Sequence, residues 1–579
     1  MTRILRRALR WSAQGYALLL ALLVVGPLLG PGYLLLRDAV STPRSYLSDT
    51  ALGLGESAPR ATPQDFAVAL ASHVLDGGIV IKALLVLALW LAGWGAGHLA
   101  AVVLPESGRS GQFVATTLAI WNPYVAERLL QGHWSLLVGY GCLPWVAAIM
   151  LGLRLAGGRR KFFALAFWVA LAGLTPTGLM LAAIVALVCA ATRGSGCGRW
   201  LCGSATVAVA VVAALPWLTA SALGSSWGAR TWAQTSAVAV FAARAEPGLG
   251  TLGSLASLGG IWNAEAVPTS RTTIFALVAA VALLAVVAIG VPALVRRPAA
   301  VPLLGLAMTA VFVPALLATG PGLALLRALV DVAPALAVVR DGQKWVALAM
   351  PGYALAGAGA VLTLQRWLQP AVTAVACCVA LVAGLPDLAW GVAGKLEPVH
   401  YPVSWPAVSS LINRDPGPVA ALPAGTMRRF SWSGRAPVLD PLPRWLRADV
   451  LTTGDLTVSG VTVPGEGAHA RAVQGLLLAG ADPGALRDAG VAWLVVESGT
   501  AGDMGAAART LDSLPAVYRD PDLVLYRIGG HRVSPVAHRR FAVLVAHMAW
   551  LALLVGGAAG SIAAGWRRVF REPLVGERR

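Results

Sequence analysis

The chain has 579 residues, of which 57% are hydrophobic and only 12% charged, and its mean hydropathy is +0.71. A chain this apolar is not a soluble globular protein, and its repeated apolar runs of about 20 residues read as membrane-spanning helices. The formal charge of +18 would suggest nucleic acid if it were clustered on a soluble domain. Many of the arginines instead gather beside the apolar runs, as membrane topology requires, so no nucleic-acid partner is expected.

Arg3, Arg6, Arg7 and Arg10, with no acid among them, precede the apolar run Tyr16–Leu36. That run is too long for a signal peptide and has no A-x-A cleavage pattern, so it reads as an uncleaved first span with a cytoplasmic N-terminus. Arg37 and Asp38 follow at its outer end. The loop 38–78 carries Asp49, Glu56, Asp65 and Asp76 against two arginines and belongs outside, with a short surface helix starting near Thr62-Pro63-Gln64-Asp65. Ile79–Val103 returns inward, and Phe113–Ile120 is too short to span alone.

The segment Trp121–Trp134 then places a carboxylate, a guanidinium, an imidazole and two indoles in an otherwise apolar neighbourhood. With Asn122 as cap and Pro123 in the first turn, a short helix puts Tyr124, Glu127, Arg128 and Gln131 on one face. Ionisable groups at membrane depth are costly and usually face a cavity, which makes this segment a candidate site. A Glu127–Arg128 pair that only locks helices together is the plain alternative. His133 either hydrogen-bonds a substrate or closes the short helix.

Further spans follow at Ser135–Leu153, Leu201–Leu223, Thr273–Val295, Val301–Thr319, Trp345–Leu364 and Ala371–Trp390, while Phe162–Leu174 and Gly178–Ala191 are apolar halves split by a Thr175-Pro176-Thr177 turn. At the entrance to one span, Arg340 offers a planar fork and Lys344 a point charge about one helical turn on, a pair suited to phosphate or to interfacial anchoring. Residues 395–540 contain no spanning run and read as an outer α/β domain, with strands at Pro418–Leu422, Val491–Val496 and Leu523–Arg527. Phe541–Ala564 is the last span, before a basic tail. The chain thus divides into a membrane module 1–394, a domain 395–540 and a terminal span with tail 541–579. Both termini inside requires an even number of crossings, and about twelve satisfies the charge clusters. The six cysteines have neither disulfide nor zinc spacing. No cofactor is legible, and a divalent metal is left open.

The acid just after the first span, the broken apolar segment carrying Asn122-Pro123-Tyr124, and the outer C-terminal domain together resemble the GT-C superfamily of polyprenyl-phosphate-sugar glycosyltransferases. The resemblance is nearest to actinobacterial cell-envelope enzymes that transfer arabinofuranose or mannose. It implies an α-helical polytopic membrane fold and inverting transfer on the outer side. The donor would be a polyprenyl-phosphate-linked sugar held among membrane lipids, and the acceptor an envelope glycan or glycolipid. By position Asp38 is then the catalytic base. Many members show a paired acid there, whereas the next acid here is Asp49, so Glu127 stands as a second candidate. Tyr124, Arg128 and His133 would wall the substrate cavity, and Arg340 and Lys344 would hold the phosphate. Trp227, Trp232, Trp262, Trp405, Trp432 and Trp445 are candidates to stack on sugar rings, with interfacial anchoring the commoner role for the first three. A transporter or flippase of a lipid-linked precursor would show repeats with matching broken helices, and no such self-similarity is visible. A non-catalytic lipid-binding assembly factor stays open, because the second acid beside Asp38 is missing.

Overall fold

The computed structural model describes residues 3–56, 58–224, 238–458, 460–531 and 537–569. Trp227 and Trp232 lie outside the described residues. The first helix, α1 (Arg3–Val25), stops where Gly26 and Pro27 begin a 3-10 turn, and Gly30-Pro31-Gly32 prevents its resumption. The apolar run read as one span is therefore divided. Its last residues form β1 (Leu35–Leu36), which pairs antiparallel with β2 (Ala39–Val40). Asp38 consequently sits in the two-residue tip of a hairpin rather than at a helix end.

The chain continues through α2 (Gln64–Ala71) to α3 (Gly77–Val103), whose first N–H groups are accepted by the Asp76 carboxylate. Next come α4 (Gly108–Ile120), a break at Trp121-Asn122, α5 (Pro123–Gln131) and α6 (Trp134–Ala156). As the spacing predicts, Asn122 caps α5 by accepting the Val125 N–H at 3.1 Å. Its side-chain amide donates back to the Leu118 and Ala119 carbonyls at the end of α4. One side chain thus closes both helix ends at the break, which a buried corner requires.

Seven described helices are long and apolar enough to cross a bilayer, or nine if the bent pairs Val301–Leu317 with Gly320–Val332 (92°) and Pro370–Ala383 with Pro386–Gly394 (73°) each count as one. This is fewer than the expected twelve. Several apolar runs form helices below the roughly 20 residues one crossing takes. Among them are the 13 residues of α4 and the helices Arg159–Ala172 and Pro176–Ala190, separated at the Thr175 turn. The chain is a polytopic membrane protein, with its largest apolar core running through α1, α3, α4, α6 and the helix Met350–Leu364.

The C-terminal domain holds β3 (Val419–Leu422), β4 (Met427–Arg428), β5 (Val438–Leu439), β6 (Leu456–Val458), β7 (Val461–Val463), β8 (Trp493–Glu497), β9 (Ala516–Arg519) and β10 (Leu523–Arg527). Its main sheet runs β3-β8-β10-β9, with β3 parallel to β8 and the other pairs antiparallel. The domain and the loop 38–78 bind one another directly. Arg60 pairs with Glu466 at 2.7 Å, Arg444 with Asp65 at 3.3 Å, and Thr50 donates to Asp449. Trp405 and Trp445 are 1% and 6% exposed in the domain's own core, so neither ring presents a face to a sugar, contrary to the expectation. Trp432 is stacked on Phe430 at 4.8 Å.

Candidate active site

The hairpin tip is held in an uncommon backbone conformation. Arg37 has φ of 49°, a region that costs a non-glycine residue free energy and persists only where surroundings enforce it. Here the enforcement comes from three sides. Its guanidinium is buried, donating to the Leu130 carbonyl at 2.6 Å and the Glu265 carbonyl at 2.8 Å, and its backbone bonds both flanks of β5 through Pro437 and Leu439. The tip also rests on Gly132, the left-handed cap of α5 at φ 83°. A Cβ there would stand 2.4 Å from both the Ala39 nitrogen and the Leu36 carbonyl oxygen. Gly132→Ala is therefore expected to destabilise the fold by about 1–3 kcal/mol and push the hairpin off α5. The expected readout is a lower thermal midpoint in detergent; an unchanged midpoint would show that the corner has slack.

Asp38 is the member of this site most open to solvent, with its side chain 44% exposed. Its Oδ2 accepts from His133 Nε2 at 2.9 Å and from Gln131 Nε2 at 3.1 Å, while Oδ1 has no partner among the described residues. His133 Nδ1 lies 3.0 Å from Arg128 Nη1. A guanidinium can only donate, so Nδ1 accepts and the ring proton sits on Nε2, aimed at Asp38. Desolvation lowers the imidazole pKa, as do the Arg128 and Lys344 charges, against the pull of Asp38. A neutral ring with a fixed tautomer fits both observations. For Asp38, desolvation works upward, but the His133 and Gln131 hydrogen bonds and the Lys344 charge outweigh it and hold the carboxyl below its ordinary range.

Arg128 is in turn gripped at both ends of its fork by Asp341, with Nη1 to Oδ2 and Nη2 to Oδ1 each at 3.1 Å. The pair is buried, and Lys344 Nζ stands 3.6 Å from Asp341 on its more open side. The Arg128 charge helps hold the Asp341 carboxyl well below the ordinary range against desolvation, followed by that of Lys344. Tyr124 packs under this arrangement, stacked on Tyr140 at 5.2 Å and 5.5 Å from the Arg128 guanidinium. A continuous polar chain thus runs from Asp38 through His133, Arg128 and Asp341 to Lys344, open at its two ends and closed in the middle.

Arg340 lies beside that chain. Its guanidinium sits 4.4 Å over the Phe241 ring and makes no hydrogen bond or ion pair among the described residues. Burial pushes its pKa down to about 10, and the Arg60 charge adds to this. The Glu466 and Asp341 carboxylates act on it in the opposite sense, and with no hydrogen bond occupying its fork it suits an anionic ligand.

Glu127 is placed differently from the expectation that it faces a cavity with Asp38. It is fully buried, and its oxygens accept the Gly260 and Ile261 N–H groups at 3.2 and 3.1 Å and the Gln343 amide at 2.9 Å. Sequence reasoning gave no separate role to Gly132, Asp341, Gln343 or Asn263. Only the glycine closing a short helix and the Asp341 between two bases gave a local signal. Among the described residues no group of three or more His, Cys, Asp or Glu is arranged to hold a metal.

The architecture is a bundle of apolar helices, a first loop that presents a carboxylate, and an α/β domain seated on that loop. The cryo-EM structure of arabinofuranosyltransferase AftD from mycobacteria aligns with a TM-score of 0.58 and 16% identity, over 91% of this chain and 40% of that one. The likeness is one of fold, and the chain spans well under half the length of that protein. A structure of a mutant of AftD, with 16% identity over 91% of this chain and 42% of that one, has a TM-score of 0.48, too low to add to the fold. No protein-family model and no curated protein sequence matches the chain.

Proposed function

We propose that this protein is an inverting membrane glycosyltransferase of the cell envelope, taking a sugar of the arabinofuranose or mannose class from a polyprenyl-phosphate donor and passing it to an envelope glycan or glycolipid. The observation that carries the proposal is the polar chain with two open ends: an ionised carboxylate at Asp38, and the cations Lys344 and Arg340 beyond Asp341. In this reading Asp38 Oδ1 takes the proton of the acceptor hydroxyl. The freed oxygen attacks the anomeric carbon, the bond to the lipid phosphate breaks, and its electron pair leaves on a phosphate stabilised by Lys344 and Arg340. Arg128, His133 and Tyr124 hold the two ends in place. We assign Glu127 to positioning rather than proton transfer, because its carboxylate is saturated by internal donors. The test is sugar transfer by the purified protein from prenyl-phosphate donors carrying either sugar. Failure with both, in protein that is folded, would overturn the proposal.

The outer placement of the site and of residues 395–540, with both termini cytoplasmic, belongs to the same proposal and follows from the charge bias of the loops. Asp455, a half-exposed residue of the C-terminal domain, reports on it. A cysteine substituted there is expected to react with an impermeant thiol reagent on intact cells; reaction only after lysis would reverse the orientation.

His133 gives the proposal a pH signature. The depressed Asp38 pKa means the base is ionised above that pKa and lost as pH falls through it, so the acid limb of kcat/KM should lie below the ordinary carboxylate range. His133→Leu removes one of the hydrogen bonds that depress it, so the limb should move to higher pH. A limb that stays in place would remove His133 from any role in tuning the base.

A further inference from the structure

The segment 260–265 runs from Glu127 to the Asp38 hairpin. It begins at Glu127, which accepts its first two N–H groups at 3.2 and 3.1 Å. It ends against the Asp38 hairpin, where Asn263 donates to Gln131 at 2.8 Å and the Glu265 carbonyl accepts from Arg37 at 2.8 Å. Gln131 is itself bonded to Asp38. Between these anchors lies Trp262. Its ring packs edge-on against Phe241 at 4.7 Å, and the Arg340 guanidinium lies over the same Phe241 ring at 4.4 Å. The indole is only half-buried and its N–H makes no hydrogen bond among the described residues. Its loop thus joins the Phe241 ring that carries the Arg340 guanidinium to the Gln131 that holds the Asp38 carboxylate, and the indole has ring surface and a donor to spare.

Interfacial anchoring does not describe this position. Trp262 packs in a small cluster with Phe241 and with Leu456 and Val463 of the C-terminal domain. A loop fixed at both ends by hydrogen bonds presents its central side chain with little freedom, as a binding surface requires. The apolar face of a sugar ring, whose C–H bonds point one way and hydroxyls outward, matches an indole face of this kind.

We propose that Trp262 is the platform on which the donor's sugar ring stacks, carried by the segment 260–265 and anchored by Glu127. This rests on the lipid-phosphate-sugar reading of the site. It makes Trp262 a substrate-binding residue and Glu127 a positioning residue that acts through the segment.

The experiment measures binding of three short-chain prenyl phosphates to the full-length protein in detergent, one carrying arabinofuranose, one mannose and one no sugar. Trp262→Ala is expected to weaken the better-bound sugar-bearing probe about tenfold, while Trp262→Phe, which keeps a ring, stays within about threefold of the parent. The sugar-free phosphate should bind parent and both variants alike. Equal loss of the sugar-free and sugar-bearing probes, or no loss of either, would overturn the platform, while binding of the sugar-free phosphate by the parent would still support the phosphate site. A parent that binds none of the three would overturn the lipid-phosphate reading itself, and the platform with it. If Trp262→Ala does not fold, Trp262→Leu, which refills the volume without a ring, is expected to show the same selective loss.

Discussion

Asp38→Asn is expected to lower sugar transfer by roughly 10²-fold or more while donor binding stays near the parental level. The substitution keeps size and polarity but removes the proton acceptor, and an asparagine can still meet the His133 and Gln131 donors through its oxygen. The hairpin should stay in place, because it is fixed by Arg37, by β5 and by the Gly132 corner rather than by the Asp38 side chain. Arg340→Ala provides the contrast, since it should weaken donor binding as well as turnover; a charge-assisted contact of this type is worth about 1.5–3 kcal/mol. Transfer and binding measured side by side separate the two. Parental turnover in Asp38→Asn would remove Asp38 as the base.

The second large effect concerns stability. Asp341→Asn leaves the buried Arg128 guanidinium without its counter-charge, and breaking one side of such a pair costs about 3–5 kcal/mol. The thermal midpoint in detergent should fall accordingly. The double variant Arg128→Met with Asp341→Leu should recover much of that loss, because an apolar replacement of a whole buried pair is often neutral. It should not recover transfer, since the donor that fixes the His133 tautomer is gone. Recovery of both would show that the pair only packs helices, which was the plain alternative for charged residues in this segment. No recovery of stability would mean that the polar pair is needed for the bundle itself.

Much of this arrangement was legible in the sequence, and the illegible part has identifiable causes. The α5 segment declared itself through Asn122 and Pro123, whose capping chemistry is local. The main strands of the C-terminal domain did so through short apolar runs between turn residues. The edge strand β9, with three of its four residues exposed or nearly so, carried no such run. The end of the first span was misplaced because Leu34, Leu35 and Leu36 are as apolar in a buried hairpin as in a helix, and only the glycines and prolines before them distinguish the two. Direction was the harder problem. Glu127 and Arg128 are consecutive, both buried and both charged, yet one reaches the segment 260–261 and the other Asp341. Helical spacing places them on the same polar side of α5 and does not say which partners, more than 100 residues away along the chain, will meet each.

The most direct test of the central claim is a cryo-EM structure of the protein with a bound prenyl phosphate. The account expects headgroup density within hydrogen-bonding reach of Lys344 and Arg340, on the Asp38 side of Phe241, with the prenyl chain leading to the bilayer. Headgroup density elsewhere in the bundle, with Lys344 still on Asp341 and Arg340 still on Phe241 alone, would contradict it.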